Sequence, residues 1–145
     1  MPSGGIPSSV APPMPSAGSS QSATKRTRAT GRTRIHIAAG PSALGCEAAE
    51  RFSALARCAA RAQGVFRVAL SGGTTPRVLY ATLAKAPYRS RIPWDSVQLF
   101  WTDERCVPID HPASNFAMVR ESLLDYVPIP PANVHRVPVE HRSPK

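Results

Sequence analysis

The sequence is poor in aromatic residues and cysteines, and each shortage argues against a class of protein. Aromatic residues make up only 6% of the chain, and after residue 34 no cluster of Lys and Arg is interleaved with them, so a nucleic-acid groove is not indicated. Cys46, Cys58 and Cys106 are far apart and form no CxxC pair. They indicate neither a disulfide framework nor a zinc site and are typical of reduced thiols in a cytoplasmic protein. No apolar run is long enough to span a bilayer, so a membrane is not indicated as a partner.

Acidic residues are also scarce, and the shortage is concentrated at the N-terminus. The chain has 18 Lys and Arg against 9 Asp and Glu, a net charge of +9. Residues 1–34 contain five basic residues and no acidic one, and residues 1–24 consist largely of Pro, Ser, Gly and Ala. Such a segment has little to bury, so residues 1–33 are predicted to be a disordered basic leader and residues 34–145 a single domain.

The most informative stretch is residues 68–80, which read VALSGGTTPRVLY. A short apolar run suited to a buried strand is followed by a Gly-Gly turn, and apolar periodicity resumes at Val78 and Leu79. The pattern predicts a strand, a tight turn and the start of a helix. Thr74 or Thr75 is expected to cap this helix, with Pro76 at its first position.

The start of this helix predicts an anion site, and phosphate is the usual occupant. The first amides of a helix have no helical acceptor, and the helix dipole favours negative charge there. Gly72 and Gly73 let a ligand approach the backbone, and the hydroxyls of Ser71, Thr74 and Thr75 and the guanidinium of Arg77 are expected to add contacts. The alternative is a tight turn without a ligand. The turn fits neither the Walker pattern nor the three-glycine dinucleotide pattern, which disfavours ATP and NAD.

Strand and helix patterns alternate along the rest of the domain. Strands are predicted at residues 34–38, 65–70, 97–101 and 133–139, separated by helices, and this order is typical of a parallel sheet. The helix over residues 42–63 has its apolar stripe at Leu44, Ala48, Phe52, Leu55 and Ala59. A later helix begins at Ser114 and Asn115, with Val119 and Glu121 predicted on its outer face.

Thr102-Asp103-Glu104-Arg105 directly follows the strand at 97–101, and its last three residues form a charged triplet. Because the carboxyl ends of parallel strands meet at one edge of a sheet, we expect this triplet near the Gly-Gly turn. Arg105 suits a phosphate or carboxylate, and Asp103 or Glu104 is expected to orient Arg105 or to act as a general base. The alternative is a solvated loop with local ion pairs.

Four ordered blocks resemble a known family: LSGGTTPRVLYATL, IPWDSVQLFWTDERCVP, SNFAMVRESLL and IPPANVHRVP. Together they resemble the N-terminal half of the glucosamine-6-phosphate isomerase/6-phosphogluconolactonase family over residues 34–139. The resemblance implies a three-layer, Rossmann-like parallel sheet of the ribose-5-phosphate isomerase/CoA-transferase type, truncated on its C-terminal side. It places Ser71, Gly72, Gly73 and Thr74 at a sugar phosphate, Asp103, Glu104 and Arg105 along the pocket, and Ser114 and Asn115 in support. It implies no metal or organic cofactor.

The activity that the resemblance implies is hydrolysis of 6-phospho-D-glucono-1,5-lactone to 6-phosphogluconate. In the family a histidine in a later Asp-Gly-His segment activates the water, and this segment does not occur in the sequence. We therefore expect a catalytically incomplete, marginally stable fragment with little or no lactonase activity. The catalytic residue and the oligomeric state are left open.

Three alternatives are retained. A sugar-phosphate isomerase or deaminase of the related group uses an acidic residue after the third strand, although TDERCVP differs from the deaminases' Asn-Met-Asp-Glu-Tyr block. A non-catalytic sugar-phosphate-binding module fits the absent histidine segment. A nucleic-acid binder would depend on the basic leader.

Overall fold

The computed structural model describes residues 26–30 and 33–139, with side chains from residue 35 onward. Short 3-10 turns lie at Trp94–Ser96, Leu124–Tyr126 and Pro131–Asn133. The strands and helices, in chain order, are β1 (Arg26–Thr30), β2 (Thr33–Ile37), α1 (Pro41–Gln63), β3 (Phe66–Leu70), α2 (Thr74–Leu83), α3 (Tyr88–Arg91), β4 (Val97–Trp101), α4 (Asn115–Ser122) and β5 (Val134–His135).

A parallel sheet with the strand order β3-β4-β5 forms the centre of the described chain. Leu70 pairs with Trp101, and Leu99 pairs with Val134, so β3 and β4 end at the same edge. The predicted parallel sheet is therefore confirmed. β5 has two residues, against seven in the predicted strand at 133–139. Pro138 has no N–H to donate to a ladder, which limits the strand on that side.

The strand predicted at residues 34–38 is present, but its partner differs from the prediction. Thr33–Ile37 pairs antiparallel with Arg26–Thr30 in a separate two-stranded ribbon and not with the parallel sheet. This partner strand begins inside the segment for which the sequence predicts disorder, whereas residues 1–25 lie outside the described residues. Ile35 and Ile37 are 48% and 49% exposed, so these two side chains of β2 contribute little to the core.

The hydrophobic core lies on one face of β4. Val97, Leu99 and Trp101 point into it, and residues of α1, α2 and α4 complete the same cluster. The alternate residue Phe100 lies on the opposite face, where it is 36% exposed. Its ring stacks on His135 of β5 with centroids 4.6 Å apart. This alternation follows from the two-residue period of a strand.

Helix α1 spans the predicted residues but buries a face next to the predicted one. Leu44 and Leu55 are exposed, and the buried residues are Gly45, Ala49, Phe52, Ser53 and Ala56. A Cβ built on Gly45 would lie 2.8 Å from a methyl carbon of Val78. The close crossing of α1 and α2 thus requires small residues on the buried face of α1. The positions of the larger leucines do not indicate this face. No helix within the described ranges is both long and apolar enough to cross a membrane.

Helix α4 begins where the sequence predicts, but one residue of its predicted outer face is buried. Val119 is fully buried, whereas Glu121 is exposed as expected. The reason is that α4 has only eight residues and packs against α2 as well as joining the main core. More than one of its faces is therefore covered.

Tyr80 of α2 fixes the backbone at the end of β3. Its hydroxyl accepts a hydrogen bond from the amide of Ser71 at 3.0 Å and donates one to the carbonyl of Ser71 at 2.9 Å. The side chain is only 2% exposed. Both backbone polar groups of Ser71 are satisfied by one buried side chain, which fixes the position of Ser71.

We expect Tyr80→Phe to lower the free energy of unfolding by about 1–3 kcal/mol, because two backbone groups of Ser71 lose their partner. Urea denaturation, followed by the fluorescence of the buried Trp94 and Trp101, measures this change. Tyr126→Phe is the matched control, since Tyr126 is 53% exposed and its substitution is expected to stay within about 0.5 kcal/mol. Equal losses in the two variants would contradict the role of Tyr80.

The difference in stability between the wild type and Tyr80→Phe is expected to depend on pH. Burial raises the pKa of Tyr80 above its ordinary value of 10.0, although the hydrogen bond with Ser71 opposes the shift. The stabilisation by Tyr80 is therefore complete below the unfolded-state pKa and declines as pH rises towards the folded-state pKa. The difference in stability between wild type and Tyr80→Phe should narrow above about pH 10.

Candidate functional site

The turn after β3 is closed by glycine and not by a threonine cap. Gly73 has φ 108° and ψ 169° and occupies the N-cap position of α2 without a side-chain hydrogen bond. Thr74 and Thr75 are the first two helical residues, and Pro76 is the third. The predicted threonine cap and the first-position proline are therefore wrong. A positive φ suits glycine, which explains why the cap falls one residue earlier.

This geometry leaves donors available at the start of α2. The amides of Thr74 and Thr75 lie in the first turn, where no preceding helical carbonyl accepts from them. The side chains of Ser71, Thr74 and Thr75 are exposed. A ten-residue helix carries partial positive charge at this end, so amides and hydroxyls together suit an anionic group.

The turn lies directly beside the loop that carries the charged triplet. The amide of Thr102 donates to the carbonyl of Leu70 at 2.9 Å. The Thr102 hydroxyl lies 3.5 Å from the Ser71 hydroxyl and 3.2 Å from a carboxylate oxygen of Asp103. The prediction that both segments share one edge of the sheet is thus confirmed by their geometry.

Asp103 and Arg105 form an open ion pair at this edge. A guanidinium nitrogen of Arg105 lies 3.8 Å from a carboxylate oxygen of Asp103, and the side chains are 60% and 55% exposed. An exposed pair at this distance contributes only about 0–1 kcal/mol to stability. Arg105 is therefore free to exchange water or Asp103 for an anionic ligand at little cost.

Glu104 is in a different situation from its neighbours. Its carboxylate accepts hydrogen bonds from the backbone amides of Arg105 at 2.8 Å, Asn115 at 2.7 Å and Phe116 at 2.8 Å. The hydroxyl of Ser114 lies 3.4 Å from the same carboxylate. Both oxygens are thus occupied by protein donors.

Ser114 and Asn115 hold the loop and the turn together. The Ser114 hydroxyl accepts from the amide of Ala117 at 3.1 Å and caps α4, as predicted. The side-chain amide of Asn115 donates to the carbonyl of Asp103 at 3.0 Å. The same amide occupies the space where a Cβ of residue 72 would lie, so only glycine fits at Gly72. Both side chains are buried, and substrate contact by either stays a prediction.

Arg77 is not joined to this cluster. Its guanidinium lies 3.8 Å from Glu121, near the far end of α4, and its place in the site stays a prediction. His111 accepts a hydrogen bond from the amide of Ala113 through Nδ1 at 3.0 Å, and this contact lies within its own loop.

Two residues that support the site were given no role of their own in the sequence analysis. Thr102 links the turn to Asp103, and its position directly after β4 was the available signal. Tyr80 anchors Ser71, but a tyrosine on the apolar side of a helix predicts only burial. Its hydrogen-bond partner, Ser71, lies nine residues earlier, and the sequence does not show that the chain folds back to bring the two together.

An apolar groove lies under the same turn, between α1, β3 and α2. Its volume is about 350 Å³. Its lining is mostly apolar, with hydroxyl groups on Ser71, Thr75 and Tyr80, and the other lining residues are Leu44, Gly45, Ala48, Phe52, Val68, Ala69, Leu70, Pro76 and Leu79. The groove does not suit an anionic group, because burying an unpaired charge is costly.

The family model described as glucosamine-6-phosphate isomerases/6-phosphogluconolactonase matches residues 39–145. The 6-phosphogluconolactonase of a Nostoc species is 46% identical over 86 residues, and that of a Synechocystis species 47% identical over 87 residues. These matches cover 59% and 60% of this chain but only 34% of each relative. The chain thus spans about a third of the length of these two relatives.

A solved structure of similar fold is the 6-phosphogluconolactonase of Thermotoga maritima. It has a TM-score of 0.62 and 30% sequence identity, and the match covers 68% of this chain and 44% of that one. The predicted α/β class with a parallel sheet is therefore confirmed.

We expect Gly72→Ala to lower the free energy of unfolding by about 1–3 kcal/mol, because the added methyl group overlaps the side chain of Asn115. Movement of Asn115 would also break its bond to Asp103. Chemical denaturation measures the loss. Gly40→Ala is the control, since a Cβ at Gly40 meets nothing within 4 Å and its backbone is extended. An unchanged free energy of unfolding in Gly72→Ala would show that the space between residue 72 and Asn115 is not tightly packed.

Proposed function

Because the chain belongs to the glucosamine-6-phosphate isomerase/6-phosphogluconolactonase family, we propose that it is a catalytically incomplete part of an enzyme that hydrolyses 6-phospho-D-glucono-1,5-lactone to 6-phosphogluconate. This reaction is the second step of the oxidative pentose phosphate pathway. Relatives named 6-phosphogluconolactonase at 46% and 47% identity support the proposal. The observation that carries it is the Gly-Gly turn lying beside the Asp103–Arg105 pair, joined through Thr102.

The proposed reaction divides the site into two parts. A lactone is already an activated ester, so the enzyme must chiefly hold the substrate, activate a water and stabilise the developing oxyanion. The amides of Thr74 and Thr75, with the nearby hydroxyls, hold the phosphoryl group. Arg105, oriented by Asp103, binds an anionic oxygen through its planar fork.

The group that activates the water has the least support in this chain. The Asp-Gly-His segment of the family is absent from the sequence. Glu104 is occupied by backbone amides, and His111 by the amide of Ala113. For this reason we propose that residues 1–145 bind the sugar phosphate without efficient turnover.

A non-catalytic sugar-phosphate-binding module is the second candidate function, favoured by the engagement of Glu104. The isomerase or deaminase alternative is not favoured, since these relatives are named lactonases. We further propose a cytoplasmic location, supported by three free, exposed cysteines in the described chain.

Titration calorimetry with 6-phosphogluconate and with gluconate tests the proposed ligand. The two compounds differ only in the phosphoryl group, which is expected to make charge-assisted hydrogen bonds with the turn. We expect 6-phosphogluconate to bind roughly tenfold more tightly than gluconate, or more. Equal affinities, or no binding of either compound, would contradict the proposed function.

A pair of arginine variants controls for general electrostatic attraction. Arg105→Gln is expected to weaken 6-phosphogluconate binding by roughly tenfold. Arg61→Gln removes the same charge from the last turn of α1, which precedes the opposite end of β3, and is expected to leave the affinity unchanged. An equal loss in both variants would indicate attraction by net charge alone.

A further inference from the structure

Glu104 connects two segments that are distant in sequence. One carboxylate oxygen accepts from the amides of Arg105 and Asn115, at 2.8 and 2.7 Å, and the other accepts from Phe116 at 2.8 Å. The last two amides belong to the first turn of α4, where no helical carbonyl is available to them. A negative side chain at this end also complements the helix dipole.

The bond to Arg105 acts on the backbone of the residue whose guanidinium faces Asp103. The bonds to α4 fix the position of Asn115, which in turn donates to the carbonyl of Asp103 at 3.0 Å and fills the space beside Gly72. Through these contacts a single carboxylate sets the place of the charged loop relative to the Gly-Gly turn.

We infer that Glu104 is a positioning residue of the proposed sugar-phosphate site and not its general base. The inference rests on the proposed function only for the identity of the ligand. Glu104 orders the backbone of Asp103 and Arg105 before the ligand binds, so that Arg105 reaches the ligand without first ordering its loop. Such preorganisation lowers the cost of binding.

Glu104→Gln tests this role because glutamine has nearly the same shape. Its carboxamide has only one acceptor oxygen, and its NH2 group would face a backbone amide, donor against donor. In the wild type, hydrogen exchange measured by NMR should show protected amides at Arg105, Asn115 and Phe116. In the variant, protection at these three should fall by roughly tenfold or more, while the amide of Leu99 in β4 stays protected.

Ligand affinity separates positioning from a purely structural role. In the folded Glu104→Gln protein we expect the dissociation constant for 6-phosphogluconate to rise by roughly tenfold. The ligand-induced change of the Arg105 Nε resonance should be lost, and the Gly73 amide should still respond. Asp125→Asn, which removes an exposed carboxylate outside the site, should match the wild type in every reading.

Wild-type affinity and an intact Arg105 response in Glu104→Gln would overturn the inference, as would rapid exchange of the three amides in the wild type. The exchange measurement on the wild type needs no variant, so it tests the positioning role even where Glu104→Gln does not fold. Failure of the wild type to bind 6-phosphogluconate would count against the proposed function, and the exchange measurement would still decide whether Glu104 orders the loop.

Discussion

The carboxylate of Glu104 holds the charged loop against the first turn of α4, and the geometry of the whole sheet edge depends on this contact. Hydrogen bonds to a charged group contribute about 1.5–3 kcal/mol each, and Glu104 accepts three from backbone amides. The exposed Asp103–Arg105 pair contributes at most about 1 kcal/mol. The strong bonds therefore build the scaffold, and the weak pair is left facing solvent, where the proposed ligand would meet it.

The Gly-Gly turn follows the same division between a fixed backbone and available donors. Tyr80 satisfies both backbone groups of Ser71, and the side chain of Asn115 packs where Gly72 has no Cβ. These contacts fix the turn from two sides. The amides of Thr74 and Thr75 and the exposed hydroxyls lie at the edge of the sheet, where a phosphoryl group would meet donors that need no rearrangement.

Sequence reasoning succeeded where the covalent order of residues determines the geometry. Residues that follow neighbouring parallel strands must lie at one edge, so the placement of the turn at Ser71 beside the loop of Thr102 and Asp103 was predictable from the strands alone. The parallel sheet and the start of α4 at a serine cap were predictable for similar reasons.

It failed where several residues satisfy the same rule or where the partner is remote. Gly73, Thr74 and Thr75 all fit a helix start, and only the backbone conformation selects Gly73. The many alanines of α1 leave its buried face ambiguous until the crossing with α2 is known. A strand pattern at 34–38 does not specify its partner, and the role of Glu104 depends on the path of the loop back to α4, eleven residues later.

The most direct measurement is a crystal structure of this chain with 6-phosphogluconate. The phosphoryl oxygens are expected within hydrogen-bond distance, about 2.7–3.2 Å, of the amides of Thr74 and Thr75, with Arg105 in contact with the ligand. A ligand bound away from the Gly-Gly turn, or at the turn with Arg105 directed elsewhere, would contradict this account.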